Sequence, residues 1–152
     1  VGAAAAAMRF LNHGGMADVL RAFKRPLLGI CLGQQVLYDR SEEGDAQGLG
    51  LLPGTVAALE GTPERPAPHM GWSALRVEQP HPLLEGVRSG DYAYFVHSYV
   101  CRADANAIAL AEYGGVFAAA VARDNVFGCQ FHPERSGAIG ARILRNFLAL
   151  PC

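Results

Sequence analysis

The feature that most constrains this chain is the stretch Pro26-Leu27-Leu28-Gly29-Ile30-Cys31-Leu32-Gly33-Gln34-Gln35. A short apolar run with the character of a buried strand ends at Ile30, and a segment with helical spacing, Leu32 to Tyr38, follows at once. A chain passes from strand to helix so abruptly only through a tight turn, and the flanking glycines permit one too close for a Cβ. Cys31, at the apex, is then held above the sheet as the serine is in a Gly-x-Ser-x-Gly elbow, with sulfur in place of oxygen. Unpaired N–H groups and the positive end of the helix dipole favour thiolate there. The N–H of the next residue, Leu32, is a candidate oxyanion donor.

An elbow of this kind needs a sheet beneath it, and the rest of the chain supplies strands and helices in mixed order. Ala3 to Phe23 has helical composition, interrupted at Gly14-Gly15. After the elbow helix, Ser41 to Asp45 reads as an exposed connection, Gly48 to Gly54 as a loop with an apolar insert, and Thr55 to Glu60 as a strand. A proline-rich loop, Pro63 to Pro68, leads through His69-Met70-Gly71-Trp72 to the alternating segment Ala74 to Glu78. The second half reads as four strands, Tyr92 to Cys101, Ile108 to Glu112, Phe117 to Arg123 and Val126 to Phe131. Asp124-Asn125 is a tight-turn signal that makes the last two an antiparallel hairpin. Gly137 to Leu148 closes the chain as a helix with Ile139, Ile143, Leu144 and Phe147 on one face and Ser136 as its expected N-cap. The pattern predicts an α/β sandwich with mixed strand directions.

The chain has 152 residues, 51% hydrophobic and 18% charged, which suits a single domain spanning residues 1–152. A formal net charge of −1, with no basic run, sets nucleic acid aside. No apolar stretch is long enough to span a membrane, and the alanine-rich start lacks the basic region of a signal peptide. The four cysteines form no Cys-x-x-Cys pair, so neither a disulfide framework nor a zinc ribbon is expected, and the setting implied is a reduced, cytoplasmic one.

A thiol nucleophile needs a base, and the base a partner that fixes its tautomer. Of the five histidines only His132 has a carboxylate placed to orient it. In His132-Pro133-Glu134 an extended residue between them puts 132 and 134 on the same side, just beyond a strand end where reactive groups of α/β sheets gather. Gln35 falls four residues after Cys31 on the same helix face, so its amide reaches the space above the thiol and suits an amino-acid ammonium and carboxylate. Taken singly, Cys31 also reads as a small buried hydrophobe, His-Pro-Glu as a prolyl turn and Gln35 as a helix-surface residue. His97 reads as a strand histidine with satisfied hydrogen bonds. Cys31, His97, Cys129 and His132 lack local ligand spacing, so no metal and no cofactor are expected.

Gly29-Ile30-Cys31-Leu32-Gly33 with a later His132-Pro133-Glu134 resembles the signature of the class I glutamine amidotransferases. The resemblance covers almost the whole chain. Pro68 to Trp72, Tyr94 to Tyr99 and Gln130 to Gly137 are most similar to the glutaminase subunits of imidazole glycerol phosphate synthase, in histidine biosynthesis. It implies an enzyme in which Cys31 attacks the carboxamide of L-glutamine to give a γ-glutamyl thioester and ammonia, with His132 activating water and Glu134 orienting His132. By the same resemblance Gln35, Ser98 and Tyr99 bind the substrate, and Met70, Gly71, Trp72, Tyr94 and Arg135 face a (β/α)8-barrel cyclase subunit in a heterodimer that receives the ammonia. Other members of the class serve other synthases or act as free γ-glutamyl hydrolases, and a truncated, non-catalytic binding module is the reading of a different kind. The family usually has methionine where this chain has Gln34 and often lysine where it has Arg135. Val1-Gly2 resembles the second half of the family's Pro-Gly-Val-Gly oxyanion loop, making Gly2 a second oxyanion donor. A βαβ unit of roughly 30 residues or more is expected before it, so the domain is expected to be N-terminally incomplete and short of its first strand or strands.

Overall fold

The structure, a computed structural model, describes residues 3–151. The alanine-rich start forms α1 (Ala4–His13), and Gly14-Gly15 turns it into α2 (Met16–Ala22). Then follow β1 (Leu27–Ile30), α3 (Leu32–Val36), β2 (Tyr38–Ser41), β3 (Ala46–Gln47) and β4 (Leu52–Ala58). Next come β5 (His69–Ala74), β6 (Arg76–Val77), β7 (Tyr92–His97) and β8 (Tyr99–Cys101). The chain ends with β9 (Ala107–Glu112), β10 (Val116–Arg123), β11 (Val126–Cys129) and α4 (Gly137–Leu148).

These strands form a five-stranded sheet in the order β1-β11-β10-β9-β6, a four-stranded sheet β3-β2-β4-β8, and the ribbon β5-β7. Strand directions are mixed, as the sequence predicts: β1 runs parallel to β11 and β2 parallel to β4, and the other pairs are antiparallel. The turn at Asp124-Asn125 joins β10 and β11 antiparallel, with Asp124 at φ 52°. Alanines at 118–120 let neighbouring layers close on both faces of β10, which is buried from Phe117 to Val121. Phe95, Phe117, Phe127, Phe131 and Ile143 fill one core, and Val36, Leu37, Tyr38, Leu52, Val56 and Val121 the other.

The structure redraws several elements. Tyr92 to Cys101 is two strands, because the chain leaves β7 at Ser98 and β8 pairs with β4 in another sheet. His69 to Glu78 likewise divides between β5, on β7, and β6, on β9. The elbow helix ends at Val36 and gives way to β2, so Tyr38 is a strand residue. Ser136 precedes α4 but makes no side-chain cap; its hydroxyl is engaged elsewhere.

Candidate active site

Parallel pairing fixes the site. Ile30 stands in register with Cys129, and the Cys31 N–H donates to the Cys129 carbonyl at 2.7 Å, so the ladder runs up to the nucleophile position. There the backbone breaks into the turn, with Cys31 at φ 52°, ψ −108°, a conformation that a residue with a Cβ adopts only under constraint. The glycines on either side have unequal roles. A Cβ on Gly29 would sit 2.5 Å from the backbone C and O of Gly33, whereas one on Gly33 would meet nothing within 4 Å. The first glycine lets helix and strand touch; the second is not needed for that contact.

The Cys31 thiol lies 3.6 Å from the Val96 carbonyl, to which it donates, and accepts from Gln130 Nε2 at 3.8 Å. Burial pushes this thiol up from its ordinary range; the Leu32 N–H and Gln130 act the other way and are outweighed. The elbow's pull toward thiolate, expected from the sequence, is present in the Leu32 N–H but is outweighed by desolvation of the sulfur; α3, with only five residues, adds a short dipole. Leu32 does present its N–H to the sulfur. Gly2, the other expected oxyanion donor, lies outside the described residues.

His132 follows β11 and is tied to β7. Its N–H donates to the Tyr94 carbonyl at 2.9 Å, and Ser136 Oγ accepts from the Tyr94 N–H (2.9 Å) while donating to the His132 carbonyl (2.7 Å). His132 Nδ1 meets Glu134 Oε1 at 2.7 Å, which fixes the proton on Nδ1 and leaves Nε2 as the basic atom. That Nε2 is buried and has no hydrogen-bond partner among the described residues, so it is not joined to the sulfur in this state. The pair forms by a different backbone from the expected one: Pro133–Arg135 is a 3-10 turn, not an extended link.

Gln35 Nε2 donates to the Tyr99 carbonyl (2.9 Å) and to Gln130 Oε1 (3.0 Å). Because a carbonyl only accepts, this bonding sets the amide orientation, and Oε1 is the atom of Gln35 left for a ligand. Cys31, Leu32, Gln35, Ser98 and Tyr99 line one cavity with Val96, His97 and Glu43. Its volume is about 20 Å3, room for a single water, so a glutamine-sized ligand enters only when its walls move. Cavities of about 490 Å3 beside His81 and 440 Å3 beside Trp72 are larger, but neither is lined by Cys31 or His132.

Met70 and Trp72 are exposed, and Trp72 pairs with Tyr94 across the ribbon, their rings 5.9 Å apart and 70° inclined. The Arg135 guanidinium lies 4.7 Å from the centroid of the Tyr94 ring. With Gly71 between Met70 and Trp72, these residues make one outward face rather than core.

Sequence reasoning missed four participants. Gln130 is legible only once β1 and β11 are known to pair in register. Glu43 reaches the cavity from a segment that reads as surface loop, and its Oε2 accepts from the Ala4 N–H at 2.8 Å. Val96 contributes through its carbonyl, which no side-chain pattern reveals, and Ser136 carried the signal of a cap. The four residues Cys31, His97, Cys129 and His132 form no metal site, and among the described residues no three His, Cys, Asp or Glu side chains gather as one. Cys31, Cys101 and Cys129 are free, and no described helix is long and apolar enough to cross a membrane.

The profile of the family "Glutamine amidotransferase class-I" matches residues 10–150. The chain is 46% identical over 150 residues to the imidazole glycerol phosphate synthase subunit HisH 2 of Legionella pneumophila (strain Paris), covering 99% of itself and 75% of that protein. Against the HisH subunit of the same synthase from Xylella fastidiosa (strain Temecula1) the identity is 49%, with the same coverage. In three dimensions it is similar to a crystal structure of a glutamine amidotransferase, with a TM-score of 0.65, 23% identity, and coverage of 92% of this chain and 70% of that one. A thiol on a strained strand-to-helix elbow, a carboxylate-held histidine past the neighbouring strand, and these relatives agree: the chain belongs to the class-I glutamine amidotransferase family and stands among its HisH subunits.

Proposed function

We propose that this chain is the glutaminase subunit of an imidazole glycerol phosphate synthase, hydrolysing L-glutamine to glutamate and ammonia for histidine biosynthesis. The observation that carries the reading is the left-handed conformation of Cys31, 52° in φ, at the end of the strand paired with β11. Backbone strain of this kind persists where the surrounding structure holds a reactive group in place.

His132 Nε2 takes the thiol proton as Sγ bonds to the carboxamide carbon, and the oxyanion that forms draws on the Leu32 N–H, with Gly2 as the second donor. The C–N bond then breaks as Nε2 returns its proton to the leaving nitrogen, giving ammonia and a γ-glutamyl thioester. Water attacks the thioester with Nε2 as base, the C–S bond breaks, and glutamate leaves with the thiol restored. Glu134 holds the imidazole and offsets the charge of its protonated form. Gln35 Oε1 and the Glu43 carboxylate accept from the substrate ammonium, and the backbone of Ser98-Tyr99 borders its carboxylate.

The exposed face of Met70, Gly71, Trp72, Tyr94 and Arg135 docks a (β/α)8-barrel cyclase subunit, forming a heterodimer in which ammonia passes to the partner. Val96, on the same strand as Tyr94, touches the thiol through its carbonyl, so that face is continuous with the site. The closed cavity and the raised thiol pKa favour a site that works fully only with its partner in place. A cytoplasmic setting suits the three free cysteines.

The test is ammonia release from glutamine, with and without a cyclase partner and its nucleotide ligand. Partner-stimulated release that Cys31→Ala abolishes is expected. Release surviving that substitution overturns the mechanism, high partner-independent turnover indicates a free hydrolase, and docking without release indicates a binding module.

A further inference from the structure

Two histidines that the mechanism does not use are almost wholly buried, His69 at 1% exposure and His97 at 2%. They stand opposite each other on β5 and β7, and His69 Nδ1 meets His97 Nε2 at 2.9 Å. Each has a second partner, so the contacts form a chain: Ser73 Oγ to His69 Nε2 at 2.9 Å, and His97 Nδ1 to the Tyr99 carbonyl at 2.9 Å. The chain has one possible direction. Tyr99 offers only an acceptor, so His97 carries its proton on Nδ1 and has a bare Nε2; His69 must then donate from Nδ1, and the Ser73 hydroxyl donates to His69 Nε2. Burial keeps both rings neutral, lowering each pKa to about 4. The His69 ring is fixed as well, stacked between Phe95 (centroids 4.9 Å apart) and Tyr113 (4.0 Å).

The Tyr99 carbonyl at the inner end also accepts from Gln35 Nε2, whose second N–H donates to Gln130 Oε1, and Gln130 Nε2 in turn donates to the Cys31 sulfur. The outer end, Ser73, lines the cleft beside Trp72 on the exposed ribbon. We propose that Ser73, His69 and His97 are a positioning relay that runs along the inward face of the β5-β7 ribbon from the cleft beside Trp72 and fixes the Tyr99 carbonyl, and through it the substrate-binding amide of Gln35. This rests on the glutaminase reading of the site. It assigns the Pro68 to Trp72 segment a role inside the molecule besides its exposed one: His69 faces in where Met70 and Trp72 face out.

Because Gln35 binds substrate rather than reacting, losing the relay raises KM and leaves kcat within about twofold. In the complex with the cyclase partner, His97→Leu is expected to raise KM for glutamine roughly 5- to 10-fold, the effect of one misplaced hydrogen bond. His97→Asn keeps a donor at the Nδ1 position and is expected to stay within about threefold of wild type. His69→Phe preserves the stacked ring but breaks the chain one step further out, and its KM falls between the two. A readout independent of activity is the tautomer of each ring by long-range proton–nitrogen NMR of the unliganded protein. Protons on Nδ1 of both His69 and His97 are expected, against the Nε2 tautomer that neutral histidine favours in water. A folded His97→Leu variant with unchanged KM, loss of stability without a KM difference between Leu and Asn at position 97, or an Nε2 proton on His97 each overturns the relay. If the wild-type complex releases no ammonia, the glutaminase reading fails, and the tautomers still decide the relay.

Discussion

Alanine at either glycine of the elbow adds the same atom with opposite consequences. At Gly29 the new Cβ lies 2.5 Å from Gly33 C and O and 2.7 Å from Gln34 N, all backbone atoms of α3. Reaching even the tight end of ordinary contact, 3.4 Å, needs about 0.9 Å of separation between β1 and the first turn of α3. That turn carries Leu32 and Gln35, and Cys31 is the residue that joins it to β1. The expected loss of stability is about 3 kcal/mol, the upper end for overpacking because no side chain can yield. A displacement near 1 Å at the reacting groups also lowers glutaminase kcat/KM about 10²-fold. At Gly33 the Cβ meets nothing within 4 Å and the residue is helical, so alanine is expected to stabilise by about 0.5–1 kcal/mol through the unfolded chain. Urea unfolding of both variants, followed by far-ultraviolet circular dichroism, measures the difference. Equal losses at the two positions, or a Gly29→Ala variant within about 0.5 kcal/mol of wild type, would refute the contact argument.

Other consequences follow from single contacts. Glu134→Ala frees the His132 ring, and kcat for ammonia release is expected to fall about 10²-fold, the low end for a general base because the carboxylate is half exposed. Gln34 Oε1 is buried without a partner among the described residues, and the amide's other contacts are a 3.2 Å bond from Nε2 to the Ala118 carbonyl and a weak one to the Cys101 sulfur, so Gln34→Met, similar in volume, is expected to raise stability by about 1 kcal/mol in urea unfolding. On Gly140 a Cβ would lie 1.8 Å from the Pro133 carbonyl, so Gly140→Ala is expected to cost about 3 kcal/mol and to disturb the turn between His132 and Glu134, visible as a joint fall in Tm and kcat. His69 and His97 have pKa values of about 4 in the fold against 6.5 when free. The unfolded chain therefore binds more protons between these values, so stability is flat above about pH 6.5 and is lost as pH falls toward 4. Urea midpoints across that range should flatten in a His69→Phe, His97→Asn double variant.

The elbow, the hairpin and α4 were legible because each is written locally: glycines around a short turn, Asp-Asn between strands, apolar residues at helical spacing. The nearness of His132 to Glu134 was legible too, although the residues between them form a 3-10 turn. What escaped depends on which strand meets which. Tyr92 to Cys101 is a run of strand-forming residues broken only by His97 and Ser98, and nothing in it states that Ser98 is where the chain changes sheets. Ser136 before a glycine and an apolar helix has every mark of a cap, but its hydroxyl gains two other partners in Tyr94 and His132. Gln130 and Glu43 are polar residues whose neighbours come from 99 and 39 positions away, a distance no local pattern encodes.

β7 shows how one strand serves several of these tasks. Its alternation sends Tyr92 and Tyr94 outward and Ala93, Phe95 and His97 into the core. The backbone between them is equally committed: Tyr94 binds His132 through its own N–H and carbonyl, one directly and one by way of Ser136, and the Val96 carbonyl receives the thiol. Base and nucleophile are thus both referenced to two residues of a single strand, two positions apart, while the strand's outer side chains form the face assigned to the partner. Its antiparallel neighbour β5 pairs with it over six residues, from His69–His97 to Ala74–Tyr92, and in that ribbon has no second strand to brace it. A load applied at Trp72 or Tyr94 therefore reaches His132 and Cys31 along the backbone hydrogen bonds of β7, whose inner side chains Ala93, Phe95 and His97 are packed in the core.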